Sequence, residues 1–183
     1  MRELSLHILD IVQNSIGAGA KTVRIAVNAD TARDTLTITI ADDGKGMSKE
    51  FAANVTDPFT TTRTTRKVGM GLALFKAAAE DTGGSLKIES EQGKGTTVTA
   101  AFGLTSIDRV PLGDLAGTLL TLVRGAPDVD YVLTCGSGSE LAAADTRKIK
   151  KELDGVPIDT PEILIWLEEY IKELLETHGL LGL

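Results

Sequence analysis

Asp10 and Asn14 stand four residues apart, a spacing that in a helix sets a carboxylate and an amide one above the other on the same face. An amide oxygen can ligate Mg2+ held among phosphates, and a carboxylate one turn away can orient or deprotonate an attacking water. His7 and Gly17 extend the stripe at steps of three, and the plainer reading of all four is a solvated helix face on which His7 is simply exposed. Farther along, Asp42-Asp43-Gly44-Lys45-Gly46-Met47 places glycines directly after an apolar run. Glycine lets a backbone approach a flat ligand closely, and an aspartate there can accept a hydrogen bond from an exocyclic amine, which separates adenine from guanine. Alone, the same residues also describe an ordinary Asp-Gly turn.

A third segment, Asp57 to Lys67, is rich in threonine and carries Arg63, Arg66 and Lys67 just before Gly69-Met70-Gly71-Leu72. Hydroxyls, cations and the free N–H groups of a helix start suit an anion, phosphate above all. No Gly-x-x-x-x-Gly-Lys-[Ser/Thr] run occurs in the chain, so phosphate binding here does not take the P-loop form.

These residues need elements to position them. Leu4, Ile8, Ile11, Val12 and Ser15 recur at helical spacing and predict a first helix fraying at Gly17 and Gly19. Val23, Ile25 and Val27, then Leu36, Ile38 and Ile40, alternate with polar or small residues and predict two strands joined by a turn at Asp34. From Ser48 to Val68 no period is kept, which predicts a long loop with a short helix near Glu50. A second helix runs from Gly69-Met70-Gly71 through Leu72, Phe75 and Ala78 to Gly83-Gly84, and a hairpin of Ser85–Ser90 and Thr96–Phe102 follows. Beyond Gly103 the pattern predicts a helix at Leu115–Val123 capped by Asp114, strands at Tyr131–Thr134 and near Leu141, and a helix at Thr146–Leu153. A last helix starts at Thr160 with Pro161 in its first position and buries Ile163, Leu167, Tyr170, Ile171, Leu174 and Leu175.

The chain's 183 residues, 42% of them hydrophobic, can build an ordinary core. A single cysteine, Cys135, forms no internal disulfide, and no apolar run reaches the roughly 18 residues of a membrane span. These features predict a cytoplasmic protein with no membrane partner. The net charge of −7 lies wholly beyond residue 102, and aromatics make up 4%. Such a surface argues against nucleic acid as a partner, because neither phosphate neutralisation nor base stacking is provided for.

Taken in order, the motifs resemble the ATP-binding domain shared by gyrase, heat-shock chaperones, sensor histidine kinases and mismatch-repair ATPases (the GHKL superfamily). Leu9-Asp10-Ile11-Val12-Gln13-Asn14-Ser15 with Ala18-Gly19-Ala20 is similar to the asparagine-bearing helix, most closely in the mismatch-repair branch. Asp42 to Met47 is similar to the first glycine box and Gly69-Met70-Gly71-Leu72-Ala73-Leu74 to the second. Pro58-Phe59-Thr60-Thr61 and the basic stretch resemble the lid of the kinases, and Gly93-Lys94-Gly95-Thr96-Thr97 also fits that branch. The resemblance covers about residues 3–103 and implies an α+β fold, the two-layer α/β sandwich called the Bergerat fold, with a mixed sheet and helices on one face. It divides the chain into an ATP-binding domain at 1–103 and an acidic α+β appendage at 104–183.

The resemblance further implies roles. Asn14 holds Mg2+, Asp42 reads the adenine amine beside Gly44 and Gly46, and Gly69, Gly71 and Leu72 with Arg63, Arg66 and Lys67 cradle phosphate; Thr97 belongs to the same nucleotide site. Asp10 takes the place of the hydrolytic glutamate but is one methylene shorter, and Gly17 stands where mismatch-repair members carry an acidic residue. The expectation is Mg2+-dependent ATP binding with slow hydrolysis and a lid that signals nucleotide state to a protein partner. A kinase acting on another chain and a binding module without turnover are the alternatives.

Overall fold

A computed structural model describes residues 2–55 and 70–183. The first helix, α1 (Leu4–Gly17), leads into an antiparallel pair, β1 (Thr22–Asp30) and β2 (Thr35–Asp42). Asp34 adopts a positive φ of 51° in the turn between them, a conformation that aspartate tolerates. Its carboxylate accepts hydrogen bonds from the backbone N–H and hydroxyl of Thr105, so the turn is tied to the chain leaving the sheet on the other side. A short α2 (Lys49–Asn54) is capped by Ser48, whose hydroxyl accepts from the Phe51 N–H. Next come α3 (Met70–Glu80), β3 (Ser85–Glu91) and β4 (Gly95–Gly103).

The strands form one mixed sheet in the order β3-β4-β2-β1-β5-β6, where β5 is Asp130–Ser137 and β6 is Glu140–Asp145. Alternation sets its two faces. Val23, Ile25, Val27, Leu36, Ile38, Ile40, Val98, Ala100 and Phe102 are buried beneath the helices, while Thr37, Thr39, Thr97 and Thr99 point the other way. The α+β two-layer architecture expected from the sequence is the one observed.

The composition changes at residue 103 but the sheet does not end there. Instead of a body with its own core, residues 104–183 supply β5, which runs parallel to β1 from Thr22↔Asp130 to Ala29↔Ser137, and β6 beyond it. The physical reason is that β1 would otherwise be an edge with a full row of unpaired N–H and C=O groups. Above β5 lie α4 (Leu115–Gly125), α5 (Thr146–Glu152) and α6 (Pro161–Thr177). Leu115, Leu119, Leu164, Leu167 and Ile171 join Leu4, Ile8 and Val12 in one apolar core. Asp114 caps α4 by accepting from the Gly117 N–H, as expected. On α6 the buried face is Leu164, Leu167, Ile171 and Leu175; Ile163, Tyr170 and Leu174 are only half-buried, because α6 packs with its neighbours along a narrower stripe than the sequence pattern suggests.

Candidate functional site

Asp42 closes β2 and faces the helix layer. Its Oδ2 accepts a hydrogen bond from the Ser15 hydroxyl of α1 at 2.7 Å, and its Oδ1 accepts the Gly44 N–H at 2.9 Å. The carboxylate is thus oriented from both sides while each oxygen keeps further acceptor capacity. Asp43 serves the scaffold instead. Burial alone would raise its pKa, but the backbone N–H groups of Thr22 and Lys21 outweigh that and hold it below the ordinary aspartate range.

The glycine box is docked on both flanks. Lys45 N–H donates to the Ala18 carbonyl at the end of α1, and the Lys45 carbonyl accepts from Gly93 N–H in the β3–β4 turn. Gly46 has φ +63°, and a Cβ there would lie 2.0 Å from the Glu91 carbonyl oxygen. Only glycine fits both that backbone conformation and that approach. Beside it Ser90 Oγ accepts the Met47 N–H at 2.8 Å, contacts Thr96 Oγ1 at 2.9 Å and donates to the Gly95 carbonyl at 3.0 Å.

Register corrects one expected site residue. Thr96 pairs with Asp42 across the β2–β4 ladder and with Ser90 across β3–β4, whereas Thr97 pairs with Ala41. Directly paired residues share a face, so Ser90, Thr96 and Asp42 form a row beneath the helices and Thr97 points to the opposite face of the sheet. Thr96, not Thr97, stands beside Asp42. Ser15, Ser90 and Thr96 are the polar residues that sequence reasoning passed over; strand alternation counted from Val98 would have marked Thr96.

Asp10 and Asn14 do share a face of α1. Asn14 is exposed and Asp10 half-buried. Asp10 Oδ2 lies 1.6 Å from where Gly71 would carry a Cβ, so the carboxylate rests against the first turn of α3, where the N–H groups at a helix start favour negative charge. Glycine at position 71 is what allows this approach. Leu72, half-buried, packs on the core. Arg63, Arg66, Lys67 and Gly69 lie outside the described residues. Among the described residues no three His, Cys, Asp or Glu side chains form a metal cage.

His7 is not on the solvated face. It is 2% exposed, stacks on Phe75 with ring centroids 5.3 Å apart, and its Nδ1 has no hydrogen-bond partner. Burial lowers its pKa from 6.5 to about 4. The reason is that α1 packs against α3 as well as the sheet, so two of its flanks are covered.

The site thus brings together a carboxylate fixed from both sides, a docked glycine box and an Asp–Asn helix face. Residues 2–106 fit the histidine kinase-, DNA gyrase B- and HSP90-like ATPases. The chain belongs to this family. It is an ATP-binding domain of the histidine kinase-like kind. Among curated relatives, the non-motile and phage-resistance protein of Caulobacter vibrioides is 35% identical over 107 residues, 54% of this chain and 13% of that protein. The sensor histidine kinase ZraS of Salmonella typhimurium is 32% identical over 97 residues, covering 52% of this chain and 21% of the kinase. The chain therefore matches only a small part of each. A solved N-terminal domain of a DNA repair protein superposes with a TM-score of 0.52 at 15% identity, covering 78% of this chain and 52% of that one. That likeness is one of fold, and it takes in more of the chain than residues 2–106 can supply. No helix among the described residues is long and apolar enough to cross a membrane.

Proposed function

We propose that this domain binds ATP with Mg2+, hydrolyses it slowly and reports the nucleotide state to a protein partner through the segment around residues 57–68. The observation that carries the reading is the Asp42 carboxylate, fixed by the Ser15 hydroxyl and the Gly44 N–H. A carboxylate so oriented suits an exocyclic amine and disfavours the carbonyl that guanine would present in its place. Bound ATP supplies a phosphoanhydride bond to be broken. Asn14, exposed one turn from Asp10, offers its amide oxygen to Mg2+. Asp10 takes a proton from water at its carboxylate, and its short side chain resting against Gly71 accounts for slow turnover.

The test is thermal unfolding with Mg2+ and ATP or GTP. A ligand at about 100 times its dissociation constant adds roughly 2.7 kcal/mol, which for a domain of this size raises Tm by about 5–10 °C. ATP should do so and GTP much less; Asp42→Asn, which turns an acceptor into a donor, should lose the ATP shift while keeping the apo Tm. No shift with ATP, or an unchanged one in the variant, removes the reading. A second reading, phosphate transfer to another chain, draws support from likeness to the sensor histidine kinase ZraS, and labelled phosphate appearing on a captured partner would favour it.

A further inference from the structure

Beyond the β6 side of the sheet, α5 and α6 enclose a groove of about 350 Å3 lined by Lys148, Ile149, Glu152, Leu153, Ile163 and Trp166. Its walls are almost wholly apolar. Trp166, the one tryptophan of the chain, is 48% exposed at its edge. The indole lies parallel to Tyr170, with centroids 5.4 Å apart and planes 6° from parallel. A stacked aromatic pair beside an apolar cleft is large, rigid contact area left in water.

The charges around it are sorted. Lys148 and Lys151 are exposed on the α5 side, and Glu162, Glu169 and Glu173 are exposed on the flank of α6 beyond the tryptophan. In helical spacing Glu162, Glu169 and Glu173 form a stripe next to Trp166 on the side away from Ile163, so the order across the patch is basic, apolar, aromatic, acidic. None of these five charged residues makes an ion pair with a described residue, although Lys172–Glu168 does so nearby. An anionic membrane or a nucleic acid would meet the acidic edge unfavourably. Glu152 is the exposed acid on the α5 side; a surface mainly basic along one side and acidic along the other is complementary to itself when turned about a two-fold axis.

We infer that the α5–α6 face is a homodimer interface whose occupant is a second copy of this chain. The two-fold axis passes close to Trp166, so that each indole enters the groove of the other copy. The lysines of one α5 face the glutamates of the other α6, twice. Aromatic residues at the centre with charges at the rim follow the usual anatomy of a specific interface. This inference is independent of the nucleotide site.

Sedimentation equilibrium of the whole chain across the micromolar range, read together with Trp166 emission, tests it. The expected result is a monomer–dimer equilibrium with a blue shift of the emission as dimer forms. Trp166→Glu should weaken the dimer at least about thirtyfold, the scale of losing a central aromatic anchor. Lys148→Glu with Lys151→Glu should weaken it, as should Glu169→Lys with Glu173→Lys. Combining all four reversals in one chain should restore association, a recovery that general misfolding cannot produce. A monomer at every concentration overturns the inference. So does a dimer indifferent to these substitutions, or a monomer whose Trp166 emission responds instead to anionic vesicles.

Discussion

Lowering the pH from 7.5 to 5 should destabilise this protein through one side chain, His7. Its imidazole is buried against Phe75 with Nδ1 unpartnered, and burial brings its pKa from 6.5 to about 4. A base whose folded pKa lies below its unfolded value contributes stability that is complete above the unfolded pKa. That stability is lost as pH falls through 6.5 towards 4, because the unfolded chain takes up a proton that the core refuses. A gap of about 2.5 units at 1.36 kcal/mol each amounts to roughly 3 kcal/mol below pH 4, of which about 2 kcal/mol is already lost at pH 5. Against a typical net stability of about 5–15 kcal/mol this is a large share. The assay is urea unfolding at pH 7.5, 6.5, 5.5 and 5.0 for the parent and for His7→Leu. The leucine variant keeps an apolar side chain against Phe75 and has nothing to titrate in this window. Its stability should match or exceed the parent's at pH 7.5, since no polar nitrogen is left unpaired. The gap should then widen by about 2 kcal/mol at pH 5. Two curves that remain parallel across the window would refute the burial argument.

Four further outcomes follow from the site. Ser15→Ala removes one of the two hydrogen bonds orienting Asp42 and should weaken ATP binding about fivefold, the equivalent of roughly 1 kcal/mol, with little change in apo Tm; calorimetric titration reads it. Gly46→Ala should unfold at clearly lower denaturant, because its Cβ meets the backbone oxygen of Glu91 at 2.0 Å. Gly71→Ala should leave stability nearly intact and slow hydrolysis, because the group it displaces is the movable carboxylate of Asp10. Asp10→Ala should slow phosphate release with nucleotide affinity unchanged, and parent-like turnover in that variant would remove Asp10 as the base.

Much of this architecture can be read from local periodicity. The α1 stripe, the β1–β2 and β3–β4 hairpins and the Asp114 cap are all short-range consequences of apolar spacing and turn chemistry, and they lie where the pattern puts them. What escapes is set by long-range neighbours. His7 reads as exposed until α3 is laid on α1. Thr97 looks as good as Thr96 until the ladder aligns Asp42 with one and Ala41 with the other, since a one-residue choice in a strand reverses the face. Nothing in the apolar run of β5 says that it will lie along β1, because strand pairing is a tertiary fact.

That pairing bears on what counts as a unit. The family likeness stops at residue 106, yet the Leu4 and Ser5 N–H groups that open α1 donate to the Pro111 and Leu112 carbonyls, and the Leu112 N–H donates to the Leu183 carbonyl. The helix that carries Asp10, Asn14 and Ser15 is seated by chain that lies outside the matched residues. Sequence likeness and cohesion therefore draw different borders here: the family match spans 105 residues, and the mechanical piece that holds α1 in place is the larger one.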